Sequence, residues 1–145
     1  GFPDGIPGPE LVELGRAHAV KSGAEWVEGS VTSVTKADDG FVVAADQEVS
    51  AKEVLLTTGV LTSLAESLGL ETQPGTEPRI ATTFVVDAEG RTAVPGVWAA
   101  GTAGGASVHT IVTAGDGARV AINLISARNG ERHVDHDVLQ APPAD

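Results

Sequence analysis

Thr92-Ala-Val-Pro-Gly-Val-Trp-Ala-Ala-Gly-Thr102, with the following Ala103-Gly-Gly-Ala-Ser-Val-His-Thr-Ile-Val-Thr-Ala-Gly-Asp-Gly-Ala-Arg119, constrains this chain more than any other stretch. Val97 to Ala100 is a short apolar run, Gly101 ends it, and Gly104 and Gly105 lead into a long apolar-periodic segment. The pattern predicts a buried strand, a tight turn and a helix N-terminus. Such a turn leaves backbone N–H groups unpaired at the positive end of a helix dipole, which favours an anionic or carbonyl-rich partner above it.

The rest of the chain sets limits on that partner. At 145 residues it is long enough to bury a real core and short enough to be one domain. Twenty acidic residues against nine basic ones give a net charge of −11, and only Lys21, Lys36 and Lys52 are lysines. Such a surface repels nucleic acid and anionic membrane. It matches the solvated surface of a halophile, with an ordinary acidic cytoplasmic protein as the alternative. The chain has no cysteine, which removes disulfide staples, thiolate metal sites and any Cys-x-x-Cys redox pair. No apolar run approaches the ~20 residues of a membrane span and no signal peptide is visible, so the expected compartment is the cytoplasm. The first residue is Gly rather than Met, as expected of a processing site, a cleavage product or an expression boundary.

In chain order, a Pro/Gly loop opens into a helix: Pro9 suits the first turn, Glu10 and Glu13 suit the positive end of the dipole, and Leu11, Leu14 and His18 share a face until Gly23. Trp26 to Thr35 alternates as strands do, Asp38-Asp-Gly40 is a hairpin turn, Phe41 to Ala45 returns, and Gln47 to Val49 adds a short third strand. Glu53-Val-Leu-Leu-Thr-Thr-Gly59 reads as an apolar strand ending in Thr-Gly. Ser63-Leu-Ala-Glu66 is a capping box, Leu61, Leu64 and Leu68 form a stripe, and Gly69 closes that helix. Phe84 to Thr92 is a strand and turn bending at Asp87 to Gly90. The last helix is predicted from Ser107 to Ala127, with Val108, Ile111, Val112, Gly115, Ala118, Ile122 and Ile125 as its apolar face and Asn129-Gly130 as the stop. Ala114, Gly115, Gly117 and Ala118 are small enough to admit a close neighbour.

At several of these residues the chain resembles the second half of the flavin domain in the thioredoxin-reductase-like family of pyridine nucleotide-disulfide oxidoreductases. Thr92, Val97 to Ala100, Gly101 and Ala114-Gly-Asp-Gly-Ala-Arg119 resemble that domain's closing turn and helix. Gly1-Phe-Pro3 with Ile6-Pro-Gly-Pro-Glu-Leu11 resembles a loop and helix entry within the domain, and Thr57-Thr-Gly59 is similar to its Ala-Thr-Gly strand end. The resemblance implies part of an α/β, Rossmann-like FAD-binding domain over residues 1–130: a parallel sheet, a small antiparallel β layer and a long C-terminal helix, followed by a polar tail over 131–145.

The same resemblance implies FAD held by Thr58 and Gly59, by Gly101 and Thr102, and by the amides of His109, Thr110 and Ile111, with the backbone around Val31 facing the adenine. Thr102 stands where the family has an Asp that bonds a ribitol hydroxyl, and a Thr hydroxyl can still make one hydrogen bond. The three amides would stabilise electron density on the flavin N1/O2 side. His109 belongs to a residue type that titrates near neutrality and is a candidate proton donor, the alternative being an exposed His at a helix start with no role. No residue is identified as catalytic.

Two pieces of the family pattern are missing from this sequence. A nicotinamide-binding domain of roughly a hundred residues follows the Thr-Gly strand in the family, whereas only Val60 to Thr83 intervene here. No Gly-x-Gly-x-x-Gly occurs in the chain. In a doubly wound sheet the strand preceding that loop is central, and it is expected beside Val97 to Ala100, where its loss leaves two buried edges unpaired. The expected partner is an N-terminal polypeptide bearing Gly-x-Gly-x-x-Gly, or a dimer mate, and hence a homo-oligomer.

Two functions follow. One is the flavin-binding part of an FAD-dependent oxidoreductase that lacks its own redox disulfide and NAD(P)H domain. The other is a flavin-free structural or regulatory remnant acting by association. The first needs the Thr58-Gly59 corner and the Gly101-Thr102 corner to face each other, with the bend unplugged by side chains. His133-Val-Asp-His136-Asp137 has metal-ligand types at helical spacing but no convergent partner, so no metal is expected. Asp116 and Arg119 are expected to pair in solvent or at an interface, and no nucleophile elbow or Ser/His/Asp triad is present.

Overall fold

The computed structural model describes residues 2–134; Asp135, His136, Asp137 and the remainder of the expected tail lie outside them. The chain divides into two units, Gly1–Ser30 and Val31–Asp145.

In the first unit, helix α1 (Gly8–Lys21) starts with a proline in its first turn, carries Glu10 there and places His18 and Lys21 in its last turn, in the sense the helix dipole favours. Arg16 lies 5.4 Å from the centre of the Trp26 ring and pairs with Glu13 at 2.6 Å. No residue of α1 is buried; of the expected face, Leu11 is half-buried and Leu14 and His18 are exposed. The strand expected from Trp26 starts only at Ser33. Its partner explains this: Thr32 N–H still reaches the Ala44 carbonyl, but beyond Ala44 the partner chain turns, with Ala45 bonding Gln47. Trp26 instead donates its indole N–H to Glu28.

The second unit opens with an antiparallel meander of β1 (Ser33–Ala37), β2 (Gly40–Ala44) and β3 (Glu48–Ala51) in that spatial order. Asp38-Asp39 forms the predicted hairpin tip between the paired residues Ala37 and Gly40. Strand β4 (Val54–Leu56) follows, then the single-turn helix α2 (Ala65–Leu68), the hairpin strands β5 (Thr72–Pro74) and β6 (Thr82–Phe84), strand β7 (Val97–Ala99), a 3₁₀ helix (Gly101–Gly104) and helix α3 (Thr110–Asn129). The β5–β6 hairpin was not foreseen. Nor does Ser63 cap α2: Leu64 occupies the cap without a side-chain bond, and Leu61 of the expected stripe is 63% exposed while Leu64 and Leu68 are buried.

β7 is the element around which this unit packs. It pairs in parallel with β4, Val54 opposite Val97 and Leu56 opposite Ala99. Its alternating side chains enter two separate cores. Val97 and Ala99 join Val34, Phe41, Leu56, Leu64, Leu68, Phe84 and Ala103, whereas Trp98 and Ala100 join Val120 of α3. A strand buried on both faces requires an uninterrupted apolar run, and Val97 to Ala100 supplies it. The other edge of β7 is also occupied: Ala99 N–H donates to the Gly90 carbonyl and Thr92 N–H to the Val97 carbonyl. The open edge of this two-stranded sheet among the described residues therefore belongs to β4, which pairs only with β7, and not to Val97 to Ala100.

Helix α3 starts at Thr110, three residues later than expected: His109 is its N-cap, and the Val108 N–H goes to the Glu77 side chain described below. Its buried face also differs from the expected one. Val120 is fully buried and Leu124 packs beside it, while Ile111 is 82% exposed and Val108, Val112 and Ile125 are also exposed. In a helix rich in Ala and Gly, two apolar stripes have equal period, and packing selects between them. Here the selection is made at Gly90, where the turn backbone meets Val120. An added Cβ would lie 2.5 Å from Val120 Cγ2, and Gly90 has φ +94°. Asp87 shapes that turn by accepting the N–H groups of Glu89 and Arg91 at 2.9 Å. Burial pushes its carboxyl up, but those donors and the Arg91 guanidinium outweigh burial and hold it below the usual range.

Gly90→Ala is expected to lower stability by about 2–4 kcal/mol, from left-handed strain plus the clash with a stiff β-branched side chain. In a Val120→Ala background the clash is gone, and the same change should cost only about 1 kcal/mol. Urea unfolding of the four proteins in this cycle checks the coupling; additive costs would show that Gly90 and Val120 do not meet.

Candidate functional site

Gly101 ends β7 with φ +67°, a conformation that any L side chain other than glycine resists. The bend is anchored from α3: Asp116 Oδ2 accepts the Gly101 N–H at 2.8 Å, while its Oδ1 pairs with Arg119 at 2.7 Å. Arg119 in turn donates to the Ala88 carbonyl. The expected pair forms, with the Arg119 side chain 43% exposed to solvent and that of Asp116 15% exposed and turned inward to the bend. It ties the start of the turn to the helix. The signal available in sequence was an acidic residue between two glycines, Gly115-Asp116-Gly117, inside an otherwise apolar helix.

A cleft of about 320 Å³ lies over this bend, lined by Thr57, Gly59, Ala100, Gly101, Thr102, Val108, Thr113 and Gly117. Gly59, Gly101 and Thr102 are thus brought together across 42 residues of sequence (101 − 59). Thr58 is not among the lining residues: its hydroxyl turns back to the Leu61 carbonyl at 2.5 Å, and Thr57 faces the cleft in its place. Val31 is 43% exposed, precedes β1 and does not line the cleft. Thr57, Val108, Thr113 and Gly117 are lining residues that the sequence did not single out.

His109, Thr110 and Ile111 are not among the residues that line the cleft. Val112 and Thr113 N–H bond the His109 carbonyl, but the amides of Thr110 and Ile111 have no acceptor among the described residues. The Thr102 hydroxyl is likewise unclaimed among them, although the residue is buried. His109 is the N-cap of α3 and makes no side-chain bond to the helix backbone. None of the eight lining residues is ionisable, which is informative in a chain of net charge −11. The lining offers hydroxyl and backbone groups, with the Asp116 carboxylate already committed to the Gly101 N–H and Arg119, so an uncharged, hydrogen-bonding ring suits it better than a phosphate or a metal ion.

The segment before α3 is held by Glu77, from the β5–β6 turn. Its Oε2 accepts the Val108 N–H at 3.2 Å. The Ser107 hydroxyl, then the Val108 amide, with a lesser contribution from His109, hold the Glu77 carboxyl below the usual carboxylate range. Among the described residues no group of three or more His, Cys, Asp or Glu could hold a metal, and no helix is long and apolar enough to cross a membrane.

No protein-family model matches this sequence, and none of the curated proteins matches it. Solved structures do match in backbone. An atypical thioredoxin reductase from Desulfovibrio vulgaris Hildenborough superposes with a TM-score of 0.77 at 17% identity, over 90% of this chain and 83% of that one. An oxidoreductase from Agrobacterium tumefaciens gives 0.72 at 14% identity, over 90% and 85%. A thioredoxin reductase from Gloeobacter violaceus gives 0.70 at 13%, over 94% and 83%. At such identities the likeness is one of fold: a mixed α/β chain with parallel and antiparallel sheets and a C-terminal helix that resembles part of the fold of these solved oxidoreductases.

The Glu77 anchor has a pH dependence of fixed sign. A carboxyl whose pKa is lowered by folding stabilises the fold above its unfolded pKa, and that contribution is lost as pH falls through the lowered value. Hydrogen exchange at the Val108 amide should therefore be slow near neutrality and, relative to the exchange expected of an unfolded chain, accelerate as the solution is acidified below the ordinary carboxylate range. In Glu77→Gln this acid-dependent acceleration should vanish. Persistence of the same acid profile in the variant would show that another group holds the segment.

Proposed function

We propose that this chain is the flavin-binding part of a thioredoxin-reductase-like, FAD-dependent oxidoreductase, built as part of a doubly wound Rossmann-like domain. The observation that carries the proposal is the uncharged cleft with Gly59 on one side and Gly101 and Thr102 on the other. Its size stands near the lower end of ligand pockets, which run from about 300 to 1,000 Å³. That is room for one ring system, and the remainder of a dinucleotide would have to be held elsewhere.

The residues present fit such a group. Gly59 and Gly101 have no side chain to obstruct a flat ring, Thr102 offers its unclaimed hydroxyl, and the amides of His109, Thr110 and Ile111 lie at the positive end of a twenty-residue helix. Donors held in place by the backbone stabilise negative charge without reorganising when it develops. A bound flavin would supply two-electron redox chemistry there. Val108 and Thr113 would shield one side of the cleft from water, and the Asp116 anchor would keep the Gly101 bend in register with α3.

The chain carries neither a cysteine pair nor a Gly-x-Gly-x-x-Gly loop. We therefore assign the electron donor to another protein or a diffusible reductant, and the missing central strand to an N-terminal Gly-x-Gly-x-x-Gly polypeptide or a dimer mate pairing with the open edge of β4. The acidic, Lys-poor surface suits a salt-rich cytoplasm.

Addition of FAD to the purified chain should quench flavin fluorescence and raise the thermal midpoint. Thr102→Asp, which places at this turn the carboxylate that the resemblance assigns to it, should tighten binding by about tenfold, the worth of one charge-assisted hydrogen bond. A colourless protein whose midpoint FAD does not move, as wild type and as Thr102→Asp, would leave the flavin-free association role standing instead. Intact-mass analysis of the same material should reveal a second polypeptide or a dimer.

A further inference from the structure

Thr83 is a polar side chain buried without a protein partner. It stands mid-strand in β6, opposite Gln73 of β5, and the alternation of a strand turns it away from the face of Phe84, which enters the core. Only 4% of the residue is exposed. Its hydroxyl makes no hydrogen bond among the described residues, whereas the Thr82 hydroxyl beside it pairs with Thr62 at 2.7 Å. No side-chain N or O atom among the described residues is both sealed from solvent and unpaired, so part of the little exposure Thr83 retains falls on its hydroxyl. That hydroxyl looks onto Gly105: a Cβ added there would lie 3.9 Å from Thr83 Oγ1.

A cavity of about 400 Å³ lies over this point, with Thr83, Gly104, Gly105, Asp87 and Arg119 in its wall. None of its lining residues lines the cleft over Gly101. Each charge in the wall is answered within the protein. Three of the five Arg119 N–H donors go to Asp116 and the Ala88 carbonyl, which leaves two. Asp87 Oδ1 accepts the Glu89 and Arg91 amides, while Oδ2 takes neither and lies 3.8 Å from the Arg91 guanidinium. An anion would be opposed by Asp87 and a cation by Arg119. A group that donates and accepts at once and carries no charge meets neither objection, and an alcohol is such a group. Gly104 and Gly105 add no side chain, and Pro74 and Val86 supply apolar surface for the C–H face of a ring.

We propose that this cavity is a binding site for a neutral cyclic polyol, a sugar, held through hydroxyls on adjacent carbons, with Thr83 as its buried contact, Arg119 as donor and Asp87 Oδ2 as acceptor. The volume falls within the range of small-molecule sites, about 300 to 1,000 Å³. A hydroxyl buried with no protein partner costs stability, and a ligand hydroxyl that pairs with it removes that cost. The site stands apart from the flavin cleft and does not need the flavin reading.

Methyl glucoside added to the ¹⁵N-labelled full chain should shift the Gly104 and Gly105 amide signals saturably. Methyl 2,3-dideoxyglucoside, which keeps the ring but has no two hydroxyls on adjacent carbons, should leave them in place. Thr83→Val keeps the branched shape, removes the hydroxyl and should weaken binding roughly fivefold, the effect of losing one net hydrogen bond. Thr83→Ser should bind as the wild type does. Unmoved signals, an equal response to the two glucosides, or an unchanged affinity in a folded Thr83→Val chain overturns the site; if that variant does not fold, the two glucosides on the wild-type chain decide alone. A stronger response to acetate or to N-methylacetamide than to methyl glucoside overturns the assignment to a polyol.

Discussion

The structure of the second unit depends on one short strand being buried from both sides. Val97 and Ala99 face one core, Trp98 and Ala100 the other, and hydrogen bonds occupy both edges. A strand so placed cannot shift register by one residue without exchanging its two faces, which here would push the Trp98 ring into the space of Val97. The indole also has a fixed polar commitment, donating to Glu53 at 2.9 Å, and Arg91 lies 5.1 Å from its ring centre. With the strand locked, the position of Gly101 is locked as well, and the cleft inherits its geometry from the core.

The turn that follows is held by polar bonds instead. Asp116 reaches back fifteen residues to Gly101, and through Arg119 the same carboxylate is tied to the Ala88 carbonyl in the Asp87 turn. Glu77 holds the next segment from a different hairpin. Asp116 spends the Gly101 N–H, but the Thr102 hydroxyl and the Thr110 and Ile111 amides keep no partner among the described residues, which is the condition for binding something there. Had Thr102 or the first amides of α3 been consumed internally, the same backbone would be a closed loop with nothing to offer.

What could be read from sequence divides along this line. Local rules placed β7, the Asp38-Asp39 hairpin and the Gly69 and Gly130 stops, because in each case a few adjacent residues decide the outcome. The strand ending in Thr57-Thr-Gly59 and the bend at Gly101 were legible by resemblance, and they meet at one cleft. What was missed depends on distant partners. The Trp26 strand fails because β2 ends at Ala44, and the start of α3 moves because Glu77, thirty-one residues away, takes the Val108 amide. The buried face of α3 differs from the expected one because Val108, Ile111 and Val112 are as apolar as Val120 and Leu124, and only tertiary contacts, with Trp98, Ala100 and the Gly90 turn, distinguish them. Sequence period states that a helix has a buried face; it does not state which of two equal stripes that is.

The exposed stripe bears on the cleft. Val60 and Leu61 after one corner, and Val108, Ile111 and Val112 after the other, are all exposed large apolar side chains, clustered in sequence at the two segments that bring residues to the cleft. In open solution water competes for the amides of Thr110 and Ile111, and each hydrogen bond made there yields little net free energy. A flat ring against apolar side chains displaces that water and lowers the local dielectric, which strengthens every N–H bond it accepts. Apolar exposure and unclaimed donors are each costly in a free protein, and each loses its cost when one ligand covers both. In a chain of net charge −11, none of the eight residues lining the cleft is ionisable, so what the lining offers a ligand is hydroxyl and backbone groups beside apolar ones.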